Sequence, residues 1–314
     1  MSRDLSNYIA EHKSEIEAAL WENLPLSRQR FARRLNEALQ YAVFPGGKRW
    51  RPFLTLLAGS LGGATEKSLL PAACAMEYLH TSSMILDDLP CMDDADLRRG
   101  RLALHMAFDE STALLTALTL LNQSYALLVQ TCVAAGQAEN AGALITLAAD
   151  CIGADGMIGG QMVDLELGGT CLSQADLMSR NLKTTALMQL MMTVGARAQG
   201  ATASVLQALA QYGEALGAAY QICDDLLDES GTPESLGKPL RQDERHLRPT
   251  FISEYGRQGA QRMAGEMVAA GIACLRKEFG NSYEVSLLAE AAMMIADSKP
   301  LITSTCTREV ASLR

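Results

Sequence analysis

LLPAACAMEYLHTSSMILDD, residues 69–88, is the stretch that decides the fold. Leu69, Ala72, Ala73, Met76, Leu79, Ser83 and Leu86 recur at steps of three and four, the period of one helical face. Most of the positions between them are small or apolar too. A helix apolar nearly all round belongs at the centre of a bundle. The stretch closes on two aspartates.

Outward from this segment the chain reads as helix after helix. Ala113 to Val129 is the most apolar run, interrupted by Asn122, Gln123 and Ser124. It is short and polar for a membrane span and predicts a buried helix. Ser173 with Asp176 resembles a capping box that opens a helix running through Met191 and Met192 toward Gly200. Breaks fall at Pro45-Gly46-Gly47, Gly62-Gly63, Gly168-Gly169 and from Ser230 to Pro239. Aromatic residues make up only 5% of the chain, and the apolar content is mostly Ala, Leu and Met, which favour helices over strands. No strand-period segment, repeat, low-complexity linker or composition boundary is visible. The expectation is an all-α chain of roughly ten or more helices, a single domain over residues 1–314 bundled around a central apolar cavity.

Composition narrows the function classes. The 314 residues suffice for a large core. The net charge of −9, from 27 basic and 36 acidic residues, argues against a nucleic-acid backbone binder. A hydrophobic share of 48% with 20% charged is a globular balance. No charged-then-apolar leader precedes residue 30, so no signal peptide is expected. Cysteines 74, 91, 132, 151, 171, 223, 274 and 306 are scattered without a C-x-x-C pair, which fits a reducing cytoplasm better than disulfides or zinc.

Two acidic clusters carry the chemistry. The first runs from Asp87-Asp88 through Pro90 to Asp93, Asp94 and Asp96, followed by Arg98-Arg99-Gly100. Acids at the C-terminal end of an apolar helix are disfavoured by its dipole, so the arrangement calls for a cation. Mg²⁺, which binds through a few carboxylates plus phosphate, is the natural candidate. On an ideal helix Asp87 and Asp93 would stand roughly 120° apart at about 100° per residue. Pro90 breaks the pattern and lets the chain bulge, bringing Asp93 back toward Asp87. The second cluster, Asp224-Asp225-Leu-Leu-Asp228, puts Asp224 and Asp228 on one face at the end of another apolar helix. Facing each other across a bundle, the two would hold several Mg²⁺ ions. Lys48 and Arg51 in GGKRWRP (46–52) stand at a helix start, a ready anion site. With Arg98, Arg99, Lys183, Thr184 and Lys238 they read as clamps for two diphosphates. His80, seven residues before Asp87, lies on roughly the same face.

These residues resemble the trans-isoprenyl diphosphate synthases, the polyprenyl synthetase family. The likeness runs from about residue 41 to 251. It rests on GGKRWRP (46–52), the histidine of EYLHTSS (77–83), DDLPCMDDADLRRG (87–100), GGQMVDLE (159–166), KT (183–184) and YQICDDLLD (220–228), with LGK (236–238) weaker. The resemblance implies a helical bundle, usually a homodimer. It also implies transfer of an allylic group from its diphosphate to isopentenyl diphosphate by ionisation, condensation and elimination. In that pattern Asp87, Asp88, Asp93 and Asp224 would bind Mg²⁺, three ions in all, with Asp228 in support. Arg98, Lys183, Thr184, Gln221 and Lys238 would hold the allylic diphosphate. Gly47, Lys48, Arg51, His80 and Arg99 would hold isopentenyl diphosphate, and Arg248 stands where the family has a lysine.

The chain departs from the family in two loops. RLALHMAFD (101–109) keeps His105 and Phe108 but loses a prolyl turn and a lysine. Beyond Lys238, Arg241 and Leu247 replace glycines and Phe251 a tyrosine, while Asp243 and Thr250 remain. Arg248 keeps the charge with a different geometry. Product length turns on Ser82 and Ser83, five and four residues before Asp87, roughly 6 to 8 Å below the metals at 1.5 Å per residue. Family members that stop at fifteen carbons commonly carry an aromatic there. Two serines, Leu86 and the DDLPCMD wording predict geranylgeranyl diphosphate. Phe108 or Tyr125 would be the cap if the product were farnesyl diphosphate. The competing readings are a non-catalytic subunit of a heteromeric prenyl synthase, which would usually lose one aspartate motif, and a class I terpene synthase, which would leave Lys48, Arg51 and His80 without purpose. A plain helical scaffold would not explain the arginines beside the acids.

Overall fold

Leu5, Tyr8, Ile16 and Leu20 are buried at helical spacing, and they seat the first helix, α1 (Arg3–Glu22), on the bundle. The computed structural model describes residues 3–44, 46–166, 181–230 and 250–296, with the side chains of 3 and 228–230 left aside. A short 3₁₀ turn leads into α2 (Arg33–Val43), and α3 (Trp50–Leu61) follows the glycine pair. Every residue of α3 from Pro52 to Gly59 is buried. The decisive segment forms α4 (Glu66–Asp87), capped by Thr65, whose side chain accepts from Ser68 N. From Ala72 to Leu79 all of α4 is buried, as its all-round apolar pattern requires.

Downstream come α5 (Leu104–Ala107), α6 (Glu110–Ala134), α7 (Ala141–Ile152) and α8 (Met157–Glu166). The bundle is completed by α9 (Leu182–Ala198), α10 (Ala203–Ser230), α11 (Phe251–Phe279, kinked at Gly256) and α12 (Tyr283–Ala296). α4 lies between α3 and α6, α9 between α3 and α10, and α11 runs along α10. Buried hydroxyls tie the helices together: Ser82 Oγ donates to Ala117 O at 2.9 Å and Ser124 Oγ to Ala75 O at 3.2 Å between α4 and α6. Tyr212 Oη donates to Leu288 O at 2.8 Å between α10 and α12. Such groups cost free energy in a core unless bonded.

Three expectations need adjustment. A hairpin of two-residue strands, β1 (Leu97–Arg98) and β2 (Arg101–Leu102), interrupts the helical pattern. Strands that short carry no readable alternation. α6 is half-buried rather than buried: Leu114, Leu115, Leu118, Val129 and Val133 are exposed on the side away from α4. By length and composition α6 and the stretch Ala138–Glu166 each suffice to cross a membrane. However, α6 packs on α4, and the other stretch is broken at Gly153 between α7 and α8. Ser173 and Asp176 lie outside the described residues, and the helix that runs through Met191 and Met192, α9, starts at Leu182 behind Asn181 instead. Among the described residues Cys74, Cys91, Cys132, Cys151, Cys223 and Cys274 form no disulfide.

Candidate active site

The C-terminal end of α4 turns into a bulge instead of stopping. Asp93 N donates to Asp87 O at 2.9 Å and Ala95 N to Asp88 O at 3.2 Å, so the chain after Pro90 folds back over the helix end. Asp93 is thereby returned next to Asp87, as the Pro90 break predicts. Asp87 and Asp88 sit where the helix dipole disfavours them. Burial pushes both carboxyls above the usual range, and cations oppose it. Lys183 Nζ stands 3.1 Å from Asp87 Oδ2. Arg98 Nε reaches Asp88 Oδ1 and Oδ2 at 3.0 and 3.1 Å, and its Nη2 also meets Oδ1. Burial works against the charge of Arg98, but Asp88, Asp87 and Asp93 outweigh it and hold its pKa above the ordinary value.

Lys183 comes from the first turn of α9. It can approach because Gly160 of α8 has no side chain: a Cβ there would lie 2.2 Å from Lys183 N. The next residue, Thr184, donates from Oγ1 to Gln221 Oε1 of α10 at 3.2 Å. Gln221 lies just before Asp224 and Asp225. The start of α9 therefore links the acidic end of α4 to the acidic end of α10. Asp228 follows on α10, with its side chain not described. Lys238 and Arg248, with Arg241, Asp243 and Leu247, lie outside the described residues.

A second group gathers two turns up α4. Arg99 and Gly100 form the hairpin turn with φ of 54° and 74°, the left-handed pair a two-residue turn demands. That turn lays the Arg99 guanidinium against Gly47, where a Cβ would approach to 3.0 Å. His80 faces the same group. Burial and the neighbouring Arg51, Arg99, Arg98 and Arg49 hold its imidazole well below the ordinary value, so the ring is neutral at pH 7. Burial lowers the pKa of Lys48 as well. Among the described residues no carboxylate pairs with Lys48, Arg51 or Arg99 at ion-pair distance. Arg51 Nε and Trp50 Nε1 are buried without a hydrogen-bond partner. Positive charge and orphaned donors with no acid to answer them describe an anion site.

The residues also suit a divalent ion. The donors at the two helix ends are carboxylate oxygens, the preferred ligands of Mg²⁺. The Lys183 ammonium against Asp87 stands in for a cation. Among the described residues no three His, Cys, Asp or Glu side chains converge on one point. Mg²⁺ that keeps water and substrate phosphate as ligands needs no such cage.

Comparison with known proteins agrees with this geometry. The pattern described as Polyprenyl synthetase matches residues 32–278. The chain belongs to the polyprenyl synthetase family. It is 33% identical to a farnesyl diphosphate synthase of Bacillus subtilis over 83% of this chain and 88% of that one. It is 36% identical to geranylgeranyl pyrophosphate synthase 4 of Arabidopsis thaliana over 77% and 64%. The crystal structure of a geranyltransferase from Helicobacter pylori, complexed with magnesium and isoprenyl diphosphate, superposes with a TM-score of 0.77. It shares 28% identity and covers 95% of this chain and 98% of that one.

In this polyprenyl synthetase the sequence reading passed over three residues. Arg49 lies between Lys48 and Arg51 with a left-handed φ of 55°. Its guanidinium is buried among Glu17 (2.8 and 3.1 Å), Glu77 (2.7 Å) and Val43 O (2.9 Å). Gly46 lies against it, too close for any Cβ. Arg49 thus pins the loop that carries Gly47 and Lys48. Glu77, an acid inside the apolar run of α4, was the available signal. Asp225 is the third: the sequence groups it with the acidic cluster and gives it no role of its own. The chain-length serines differ from each other. Ser83 shares the face of Asp87, and its Oγ turns back to His80 O at 2.9 Å. Ser82 is buried against α6. Phe108 packs on Tyr41 at 5.7 Å and under Arg34, on the α2 side. Tyr125 of α6 is partly buried.

Proposed function

We propose that this protein condenses isopentenyl diphosphate with allylic diphosphates, with Mg²⁺, to give geranylgeranyl diphosphate. The class, prenyl transfer of the farnesyl or geranylgeranyl diphosphate synthase type, follows from family membership. The observation that carries the reading is a pair of separate cationic groups brought to one helix, α4. Lys183 and Arg98 meet the aspartates at its acidic end, and Lys48, Arg51 and Arg99 gather near His80, about 10 Å back along it at seven residues of 1.5 Å each. Two diphosphates need two such places.

Mg²⁺ held by Asp87, Asp88, Asp93 and Asp224, three ions in the family's pattern, would neutralise charge on the leaving diphosphate. Lys183 and Arg98 stabilise the same developing charge from fixed positions. Thr184 and Gln221 offer oxygens to the allylic cation. Lys48, Arg51 and Arg99 hold isopentenyl diphosphate, whose double bond attacks that cation to form the new C–C bond. Loss of a proton then restores an allylic double bond. Apolar helix faces exclude the water that would trap the cation. Incubation of the purified chain with both substrates, followed by product chromatography, tests the reading; no elongated diphosphate means it fails. The scattered cysteines, which form no disulfide among the described residues, support a reducing, cytoplasmic setting.

The twenty-carbon product rests on Ser83, small and in line with Asp87. Supplied with farnesyl diphosphate, the wild type should add one more unit, and Ser83→Tyr should shift the product to fifteen carbons. Ser82→Tyr is a poorer probe, since a ring there overpacks the α4–α6 contact by roughly 1–3 kcal/mol. A wild type that stops at farnesyl, or a Ser83→Tyr variant with an unchanged product, places the floor elsewhere.

The reading includes a homodimer. The exposed row Leu115, Leu118, Val129 and Val133 follows one side of α6, and Ile158 and Met162 of α8 are exposed too. An apolar row of this length is unusual on a monomer's surface. Light scattering at micromolar concentration should give twice the chain mass, and Leu118→Glu should shift it toward monomer. A wild-type monomer counts against the homodimer.

A further inference from the structure

Asp225 is 2% exposed, and a buried carboxylate must find donors. Two are in place. Gln221 Nε2 donates to Oδ1 at 3.2 Å, and Phe251 N, at the start of α11, donates to Oδ2 at 3.1 Å. The direction of the first bond is fixed by chemistry. An ionised carboxylate has no hydrogen to give, so Gln221 must turn its NH₂ toward Asp225. Its oxygen then points the opposite way, toward Thr184, whose hydroxyl donates to it at 3.2 Å. Thr184 spends its only proton in that bond. Both lone pairs of its Oγ1 remain, one residue along from Lys183, whose ammonium reaches the acidic end of α4.

An amide flipped the other way would set its carbonyl oxygen against the carboxylate and its N–H toward Thr184. The hydroxyl would then become the acceptor and would turn its proton outward. For a reaction that passes through an allylic cation, the two orientations are not equivalent. One presents lone pairs to the developing positive charge, and the other presents donor hydrogens. Fixed dipoles of the right sign are worth most where water is excluded.

We propose that Asp225 is a positioning residue that holds the Gln221 amide oxygen toward Thr184, so that the Thr184 hydroxyl turns its lone pairs, and not its proton, to the allylic cation. The inference rests on the prenyl-transfer reading given above. It separates the two adjacent aspartates: Asp224 belongs to the metal end of α10, and Asp225 acts through Gln221.

Asp225→Asn is the informative change. Asparagine is nearly isosteric, and its Oδ1 can still accept from Phe251 N. Its NH₂ then faces Gln221, which must answer with its oxygen, so the substitution reverses the amide. The expected result is a kcat lowered roughly tenfold or more, with KM for both diphosphates and the thermal midpoint unchanged. Gln221→Leu should lower kcat similarly. In the Gln221→Leu background Asp225→Asn should add nothing, because the residue through which it acts is gone. An unchanged kcat overturns the proposal. So does an equal loss in both backgrounds, which would mean that Asp225 acts independently of Gln221. A lowered thermal midpoint or lost helical signal in Asp225→Asn assigns the residue to anchoring α11 and overturns it as well. Absence of turnover in the wild type sinks the prenyl-transfer reading itself and this inference with it.

Discussion

Asp87→Ala and Asp224→Ala are each expected to lower kcat by about a hundredfold or more, the scale seen when a fixed stabiliser of developing charge is removed. Asp87 ends α4 and Asp224 lies six residues before the end of α10; at the start of α9 Lys183 meets Asp87 and Thr184 bonds Gln221, one turn before Asp225. Losing either should therefore cost turnover, not merely substrate affinity. Chelation of divalent ions should abolish activity in the wild type, and added Mg²⁺ should restore it. Steady-state assays with and without chelator decide the matter. Turnover that survives complete Mg²⁺ removal rules out the metal-assisted reading. An unaffected Asp224→Ala would make the second cluster structural. Asp87→Ala also strands the Lys183 ammonium, so its melting temperature should be measured beside its kcat.

The second large effect concerns stability and the loop that carries Gly47 and Lys48, the proposed isopentenyl diphosphate site. Arg49→Met leaves Glu77, 2% exposed, without its cation, and Glu17 loses two bonds. Breaking a buried pair on one side costs about 3–5 kcal/mol. Replacing both partners, in Arg49→Met/Glu77→Met, should recover part of that loss, because no charge is then left buried alone. Chemical denaturation of the wild type and both variants measures it. The loop that carries Gly47 and Lys48 should also loosen, so KM for isopentenyl diphosphate should rise in Arg49→Met while KM for the allylic substrate changes little. Wild-type stability in Arg49→Met would show that the pair contributes nothing net.

The bend at Pro90 shows how local chemistry can be read ahead of the fold. A proline six residues before Asp96, in a run of acids at a helix end, leaves few conformations. The structure takes the one in which Asp93 returns to Asp87. His80 was legible for a similar reason: helical periodicity places it on the face of Asp87 whatever the rest of the chain does. Arg49 was not legible. Three arginine and lysine side chains within four residues look alike in sequence, and only the positions of α1 and α4 decide that Arg49 turns inward to Glu17 and Glu77 while Lys48 and Arg51 meet no carboxylate among the described residues. The exposed side of α6 was misread because its leucines give no sign of which of them meets α4.

The sequence by itself determined the helical class and where the acidic clusters and the basic residues stand along the chain, since each depends on period, capping and charge within one segment. Tertiary structure decided which charges are partnered. Lys183 opposes Asp87 and Arg98 opposes Asp88, whereas Lys48, Arg51 and Arg99 meet no carboxylate at ion-pair distance among the described residues. It also decided that Asp225 faces Gln221 and the start of α11. The physical reason is range. Helix periodicity acts over a few residues, but the cost of burying a charge is met by whichever group another helix brings to it, 96 residues away for Asp87 and Lys183 (183 − 87).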